Sequence, residues 1–447
     1  MNELYILLGA YAVAGTGVSL AVMRRNRTGR EFFLGGGRIS WVVLAMTYAA
    51  TTYSAFMMVG LVGLSFTGGL GSLIFELVYL GSTVLLLSVY GRRIWEKARR
   101  EQLVSPMDLF RSHYGGATVR AGSVVAALAL IPYTAVQVIG LAVILEGYGI
   151  SYQGGVIFAV VVIGTWALLG GLRGVALTDA LQGVFMMALA IAAMVWSLNA
   201  YGGIEYSTFP NELWTPRFFI NLTLPWAFFA LTNPQVLQRV FVLRNPGELK
   251  KMIILFGVFG LVYTLLTTGI GYAAREGAAG GVFSPPATRD GVIVAIMMQM
   301  QRTLALPLAL SIVFASVSTA NSILLTLASM FTRSETAPRT GRMVVLFLTV
   351  VVGFFALLRP SELVELSVAS SRILMVFLPL LFGVFHLKTG GPRTGMVTIL
   401  GGVAAALVIG LVAPRDSSLL TLVAVCVLFG AGVWWDRFSR SKALPER

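Results

Sequence analysis

The chain is poor in the residues that build disulfides, metal centres and catalytic sites. Its 447 residues include one cysteine and two histidines, and only 12% of them are charged. A single cysteine excludes an internal disulfide framework, and so few Cys and His side chains argue against a Cys/His metal site. We expect no enzyme and no cofactor. Cys426 stands in an apolar run, which predicts a small buried side chain.

Apolar residues are present in large excess. They make up 57% of the chain beside 49 glycines, and mean hydropathy is +0.83. A soluble domain would expose much of this content, and a disordered chain does not carry it. The composition predicts an all-α polytopic membrane protein, because the alternation of a β-barrel is missing. Thirteen apolar stretches of about 20 residues are expected to be transmembrane helices: 3–23, 41–66, 70–91, 119–146, 153–170, 176–200, 217–240, 250–274, 303–332, 341–358, 362–387, 394–413 and 417–435.

The basic residues behind the net charge of +14 are distributed unevenly between the two sides of the membrane. With the N-terminus outside, 26 of the 33 Lys and Arg residues, Arg239 among them, fall in cytoplasmic segments, six fall outside and Arg372 lies within a span. This positive-inside pattern predicts a multi-pass protein of the cell inner (plasma) membrane, with its N-terminus outside and its C-terminus cytoplasmic. The first span has no positive charge before it, which favours an uncleaved anchor over a signal peptide. The expected environment is the lipid bilayer, with no nucleic acid as partner, no soluble domain after the last span, and a monomer as the oligomeric state.

Polar residues interrupt the apolar spans at corresponding places in the two halves of the chain. The second span contains 47–54 (TYAATTYS), the seventh contains 232–235 (TNPQ), and the ninth contains 316–322 (SVSTANS). Polar groups are costly in a bilayer, and paired interrupted helices indicate an inverted-repeat transporter with a midplane site. Close helix packing at Gly, Ser and Thr is the other interpretation.

Several of these segments resemble the sodium:solute symporter family, and within it the proline and pantothenate permeases. They are 33–38 (FLGGGR), 170–183 (GGLRGVALTDALQG), 233–239 (NPQVLQR) and 318–322 (STANS), followed by 329–333 (SMFTR). The resemblance implies a LeuT-like fold with two inverted five-helix repeats. It divides the single transmembrane transporter domain, 1–447, into a peripheral first helix and loop (1–40), repeat 1 (41–200), repeat 2 (217–387), peripheral helices (394–435) and a cytoplasmic tail (436–447).

The resemblance also implies a sodium site between the broken second span and the ninth span. Its ligands would be the carbonyls of Ala50, Tyr53 and Ala315 and the hydroxyls of Ser318 and Thr319. Independently of the family, the spacing of Ala315, Ser318 and Thr319 places these three residues on one helical face.

A second ion site, or a site of ion release, is implied at Asp179 together with Ser318, Asn321 and Ser322. A helix cap or a partner for Arg173 is the other interpretation of Asp179. Thr52 stands where the proline transporters have an aspartate, and Asn321 replaces a hydroxyl or a carboxylate. We therefore expect one sodium ion per cycle.

Five residues are candidates for substrate binding. By resemblance, Tyr133 and Trp226 present aromatic rings to the substrate, although Ala230 stands where a second aromatic is expected after Trp226. Packing is the alternative role for both rings. Gln137 would supply an amide, and Glu76 matches an acid of the sugar transporters. Arg372 would bind a substrate carboxylate through its planar guanidinium, or alternatively pair internally with Glu76 or Glu365.

These features together predict sodium-coupled symport of a small polar organic solute, a carboxylate or an amino acid, by alternating access. Two alternatives remain open. One is a proton-coupled transporter of the same fold, which would use Asp179 or Glu76. The other is a transmembrane sensory module of a signalling system.

Overall fold

The structure, a computed structural model, describes residues 2–37, 39–204, 208–332, 338–359 and 363–442. Over these ranges the chain forms helices joined by short loops and contains no β-strand. Arg38 and Arg333, the last residues of two motifs quoted above, lie outside the described residues. The α-helices, numbered in chain order, are α1 (Asn2–Met23), α2 (Gly29–Leu34), α3 (Trp41–Thr52), α4 (Val62–Gly68), α5 (Leu70–Arg100), α6 (Arg111–Gly147), α7 (Tyr152–Tyr201), α8 (Pro216–Ala227), α9 (Phe229–Thr232), α10 (Pro234–Val242), α11 (Gly247–Ala279), α12 (Val292–Gln299), α13 (Arg302–Phe331), α14 (Pro338–Leu357), α15 (Leu363–Leu374), α16 (Phe377–Phe382), α17 (Pro392–Met396), α18 (Gly402–Val412) and α19 (Ser417–Lys442).

Nine helices of the described ranges are long and apolar enough to cross a membrane, or as many as eleven if each of two bent helix pairs forms one span. Each of the thirteen predicted spans coincides with helical segments of the structure. The number of predicted spans exceeds the number of spanning helices because α7 contains both the fifth and the sixth predicted span. In addition, the second span is divided between α3 and α4, and the seventh is divided among α8, α9 and α10.

Helix α7 bends sharply at a glycine in its middle. Its 50 residues would extend about 75 Å at 1.5 Å per residue, more than twice the thickness of the hydrocarbon core. At Gly171 the backbone takes a φ of 55°, which glycine adopts without steric cost. A Cβ at this position would lie 2.7 Å from the Phe32 carbonyl oxygen. Gly171 therefore allows one chain segment to cross the membrane twice.

Two helices break where the sequence places polar residues within a span. Helix α3 ends at Thr52, and a π-helical turn over Phe56–Leu61 leads from the break into α4. The N–H of Phe56 is capped by Ser54 Oγ at 3.2 Å. The break between α9 and α10 falls at Asn233, just before Pro234, because proline has no N–H to continue the helical hydrogen bonds. Both breaks leave helix-end carbonyls without helical partners.

Helix α13 forms the centre of the molecule. Its most apolar stretch is 94% buried, the highest value among the nine continuous spans of the described chain. It packs against α3, α6, α7, α10 and α14. The spans formed by α1, by α17 with α18, and by α19 are the least buried. Cys426 lies on α19 and is exposed, so the prediction of a buried side chain is wrong: Cys426 lies on the outward face of this helix, whereas its neighbour Val425 is buried.

Candidate functional site

Four of the five predicted sodium-binding oxygens meet where α3 breaks beside α13. Ser318 Oγ donates to the Ala50 carbonyl at 3.0 Å and to the Ala315 carbonyl at 3.1 Å. Thr319 Oγ1 donates to the same Ala50 carbonyl at 3.0 Å and to the Thr51 carbonyl at 3.2 Å. All five residues are buried. We call these five groups the oxygen cluster: the carbonyls of Ala50, Thr51 and Ala315 and the hydroxyls of Ser318 and Thr319.

Tyr53, the fifth predicted ligand, lies in the break itself. Its N–H donates to the Ala49 carbonyl at 2.7 Å. This is the last helical hydrogen bond of α3, and Tyr53 caps the helix. Ser318 and Thr319 donate no hydrogen bond to its carbonyl. The sequence had not singled out the carbonyl of Thr51, which accepts a hydrogen bond from Thr319. A carbonyl in the last turn of a helix is an expected acceptor, since no following helical N–H occupies it.

A second polar network lies next to the oxygen cluster and joins four helices. Thr51 Oγ1 donates to Ser322 Oγ at 2.9 Å, and the guanidinium of Arg239 donates to the same Ser322 oxygen at 2.6 Å. One turn earlier on α3, Thr47 Oγ1 donates to Asp179 Oδ2 at 2.5 Å. Asp179 and Arg239 are both completely buried and interact electrostatically. Arg239 is therefore a charged neighbour of Asp179 in the described structure.

Arg239 is the site residue that sequence analysis misplaced. It was assigned to a cytoplasmic segment, yet it lies in α10 with no exposed surface. The sequence did contain evidence for burial of Arg239, because the residue falls inside the predicted span 217–240 and is followed by the apolar residues Val240 and Phe241. A buried arginine needs a compensating negative charge or acceptors, and Asp179 and Ser322 supply them.

The residues predicted for a second ion are only partly brought together. Ser318 belongs to the oxygen cluster, whereas Ser322 and Asp179 belong to the network with Arg239. Asn321 is buried, and neither its Oδ1 nor its Nδ2 has a hydrogen-bond partner among the described residues. The guanidinium of Arg239 is thus a fixed positive charge beside two of the residues predicted to hold a second sodium ion.

A polar stripe continues along α13 towards one membrane face. Thr326 Oγ1 donates to Gln238 Oε1 at 2.7 Å, and Gln238 Nε2 donates to Ser329 Oγ at 3.1 Å and to the Val104 carbonyl at 3.0 Å. Ser329 and Val104 also line a cavity of about 790 Å³ at this end of the molecule. Gln238 therefore lies between the charged network and the cavity.

Trp226 lies in a box of aromatic rings. Phe56 and Phe229 stack on it with centroid distances of 4.6 and 5.3 Å, and Phe75 and Tyr79 approach it edge-on at 5.8 and 5.2 Å. Phe229 is an aromatic residue that sequence reasoning missed, since a ring was expected at position 230. These rings come from α5, α8, α9 and the π-helical turn after the α3 break, so the box adjoins both interrupted spans.

Glu76, Tyr133 and Gln137 form a buried polar group next to this aromatic box. Tyr133 stacks edge-on against Phe229 at 6.4 Å, and Glu76 lies close enough to Tyr133 and Tyr79 to interact electrostatically. Both oxygens of Glu76, the Tyr133 hydroxyl and Gln137 Oε1 have no hydrogen-bond partner in the described part of the chain. Such groups are expected to bind a ligand or ordered water, because their burial is otherwise costly.

Arg372 does not belong to this group. Its guanidinium donates to Ser417 Oγ at the start of α19, on the peripheral side of the bundle. Glu365 instead pairs with Arg289. The internal ion pair that we considered for Arg372, with Glu76 or Glu365, is therefore absent from the described structure. Residue spacing within α15 could not predict the contact between Arg372 and Ser417, because α19 lies far along the chain from α15.

Known structures share this architecture. The chain superposes on a Na⁺-coupled sialic acid symporter with a TM-score of 0.76 at 16% identity, covering 95% of this chain and 96% of that one. It superposes on the nucleobase-cation-symport-1 family transporter Mhp1 with a TM-score of 0.62 at 13% identity, covering 94% and 96%. The fold and the interrupted spans define an all-α, multi-pass membrane protein with the LeuT-like fold and its two inverted five-helix repeats.

The sequence comparisons narrow this class. The profile of the Sodium:solute symporter family matches residues 32–388, and the chain belongs to this family. It is 28% identical to a sodium/pantothenate symporter of Escherichia coli over 66% of this chain and 58% of that one. It is 24% identical to the osmoregulated proline transporter OpuE of Bacillus subtilis over 62% and 60%. The chain thus spans about three fifths of the length of these relatives.

Proposed function

We propose that this protein is a sodium-coupled symporter that imports a small polar organic solute by alternating access. The oxygen cluster at the α3 break carries the proposal. It gathers two hydroxyls and the carbonyls of three residues within hydrogen-bond distance of one another, deep in the bundle. A hard cation prefers such oxygen ligands. Because the oxygens are neutral, they would bind Na⁺ weakly enough to release it.

A bound sodium ion would connect the two halves of the transporter. Ala50 and Thr51 lie in the first proposed repeat (41–200), and Ala315, Ser318 and Thr319 lie in the second (217–387). An ion that draws these carbonyls and hydroxyls together would stabilise one relative position of α3 and α13. Inward movement of one charge would contribute about 2.3 kcal/mol per 100 mV of membrane potential.

We further propose one sodium ion per transport cycle. A second ion at Asp179, Asn321 and Ser322 would have to bind beside the guanidinium of Arg239, which already donates to Ser322. Repulsion by this buried charge disfavours a second cation. Asp179 then serves as the counter-ion of Arg239 and supports ion release along the polar stripe of Thr326, Gln238 and Ser329.

The proposed solute carries a hydrogen-bond donor, an ammonium or hydroxyl group, that faces Glu76. This carboxylate is buried beside Tyr133, Gln137 and the aromatic box, and neither of its oxygens is satisfied by the described residues. Amino acids and hydroxylated carboxylates have such donors. The names of the relatives, pantothenate and proline transporters, agree with this class.

The proposed orientation in the inner membrane has the N-terminus outside and the C-terminus cytoplasmic. The distribution of Lys and Arg supports it. In this orientation α1 and the helices of 394–435 would be peripheral to the two repeats, the tail 436–447 would be cytoplasmic, and the monomer would be the transporting unit.

Uptake into proteoliposomes tests the proposal. We expect accumulation of the solute under an inward Na⁺ gradient and none under an equal K⁺ gradient, with or without a pH gradient. A screen of amino acids, hydroxy acids and sugars by thermal shift, in Na⁺ and in K⁺, would identify the solute. Two buried acids, Glu76 and Asp179, favour proton coupling as the second candidate. Uptake driven by a pH gradient without sodium would establish it in place of the first.

A further inference from the structure

A basic cavity lies at the membrane face where α1 ends, and its lining includes none of the residues proposed to bind the ion or the solute. Its volume is about 360 Å³, and its lining includes four arginines and one acidic residue. Arg24, Arg25 and Arg27 follow the end of α1, and Arg173 follows the bend of α7. The acidic residue is Glu31 of α2.

Glu31 offsets only part of the positive charge of the cavity, where it interacts electrostatically with Arg27. Its Oε2 accepts the N–H of Arg27 at 2.9 Å and the N–H of Thr28 at 3.1 Å in the capping box of α2. The N–H of Arg27 is the main cause that holds the pKa of Glu31 below its ordinary value. The carboxylate therefore remains ionised and engaged with α2. Arg24 and Arg25 make no ion pair with any described residue, and the lining carries an excess of positive charge.

Two glycines form part of the cavity lining. Gly35 and Gly36 have φ values of 64° and 67°, a region that favours glycine. A Cβ at Gly35 would lie 2.6 Å from Ile39 Cδ1. These glycines let the loop turn tightly and bring backbone, rather than a side chain, to the edge of the cavity.

Two apolar helix faces lead from the arginines into the membrane. On α1, Leu20, Val13 and Ile6 follow one another at seven-residue spacing and are all exposed, so they share one face that ends near Arg24. On α7, Leu177, Leu181 and Val184 are exposed in the same way and continue the face that begins at Arg173. The two helices pack together, with Ser19 Oγ 3.2 Å from a Cβ placed at Gly170.

We propose that this cavity binds the phosphate headgroup of an anionic glycerophospholipid, whose acyl chains lie along the exposed faces of α1 and α7. The arginines provide planar donors that match phosphate oxygens. Basic pockets between transmembrane helices at a membrane face generally bind the headgroups of anionic lipids. The exposed apolar faces of α1 and α7 favour a lipid over free phosphate, because free phosphate has no apolar part that would cover them. This site is independent of the proposed transport function.

The experiment compares the purified full-length protein with variants by native mass spectrometry and thermal shift. The probes are phosphatidylglycerol, phosphatidylcholine and inorganic phosphate at equal phosphorus concentration. The test variant is Arg24→Gln/Arg25→Gln, and Arg24→Lys/Arg25→Lys keeps the charge. The matched control, Lys250→Gln/Arg437→Gln, removes two exposed charges away from the cavity.

We expect phosphatidylglycerol to bind and stabilise the wild-type protein and the control, and phosphatidylcholine to do so much less. The Gln variant should bind phosphatidylglycerol about 25-fold more weakly, about fivefold for each arginine, which corresponds to ~1 kcal/mol per basic residue. The Lys variant keeps the charge but loses the planar donors, so it should bind phosphatidylglycerol more tightly than the Gln variant and less tightly than the wild type. Equal binding of the two lipids, an unchanged Gln variant, or an equal loss in the control would overturn the proposal. Equal stabilisation by inorganic phosphate would show a free-anion site and overturn the lipid assignment.

Discussion

The guanidinium of Arg239 lies 2.6 Å from Ser322 Oγ, and the same Ser322 oxygen accepts a hydrogen bond from Thr51. Ser322 follows Ser318 by one turn of α13, and Thr51 follows Ala50 directly. The buried arginine is therefore two hydrogen bonds away from the backbone that forms the proposed sodium site. Thr51 and Ser322 thus connect the buried arginine to the proposed sodium site through hydrogen bonds.

Replacing Ser318 or Thr319 with alanine should weaken sodium binding. Each substitution removes one hydroxyl from the oxygen cluster, and we expect the sodium concentration for half-maximal uptake to rise about tenfold, equivalent to ~1.4 kcal/mol. Sodium-dependent uptake in proteoliposomes measures this. Ser316→Ala is the matched control, because the Ser316 hydroxyl donates to the Ile312 carbonyl of its own helix and to no other group in the described part of the chain. An equal effect of all three variants would contradict the proposed ligands.

Replacing Arg239 with glutamine should destabilise the protein and leave Asp179 as an uncompensated buried charge. Removing one partner of a buried pair costs about 3 to 5 kcal/mol. Asp179→Asn should have a comparable cost for the same reason. The double variant, measured by thermal unfolding in detergent, should be clearly more stable than the sum of the two single effects predicts. Simple additivity would show that the two charges do not interact.

Replacing Glu76 with glutamine should impair solute binding but not sodium binding. The substitution keeps the shape of the side chain and removes the charge that would face the donor group of the solute. We expect the KM for the solute to rise at least tenfold, equivalent to ~1.4 kcal/mol, while the sodium dependence changes little. Glu365→Gln is the control, since Glu365 pairs with Arg289. A rise in the sodium requirement alone would place Glu76 in the ion site instead.

Replacing Arg372 with glutamine should leave the KM for the solute unchanged. Arg372 contacts Ser417 at the start of α19, so its loss should lower the thermal stability of the peripheral helices. Ser417→Ala should have a similar effect on stability. Uptake kinetics and thermal unfolding of the two variants test this. A large rise in KM for Arg372→Gln alone would restore the role in substrate binding predicted from the sequence.

Breaking the contacts of Gln238 should open the proposed exit route of the ion. Gln238→Ala removes the hydrogen bonds to Thr326, Ser329 and Val104 that separate the charged network from the 790 Å³ cavity. We expect a cysteine introduced at Ser322, in a background in which Cys426 is replaced by serine, to react faster with a water-soluble thiol reagent. An unchanged reaction rate would contradict a closing role for Gln238.

Much of the candidate site was predictable because its signals are local. The register of Ala315, Ser318 and Thr319 follows from helical periodicity, and the break in the second span follows from consecutive polar residues that a bilayer does not tolerate without a partner. The neighbours of Arg239 and Arg372 were not predictable in this way. Both arginines bond to residues on other helices, and one-dimensional spacing contains no information about which distant helix packs against them.

The sequence by itself determined the class of protein, because apolar segments of membrane-spanning length and the scarcity of charge leave no other solution. The family motifs could also be recognised directly from the sequence. Only the tertiary structure decided which polar groups meet. It moved Arg239 from a presumed loop to the interior, directed Arg372 to the last helix, and left Glu76 beside an aromatic box that includes Phe229. The physical reason is that burial and pairing of polar groups depend on contacts between helices, whereas the ability to span a bilayer depends on each segment alone.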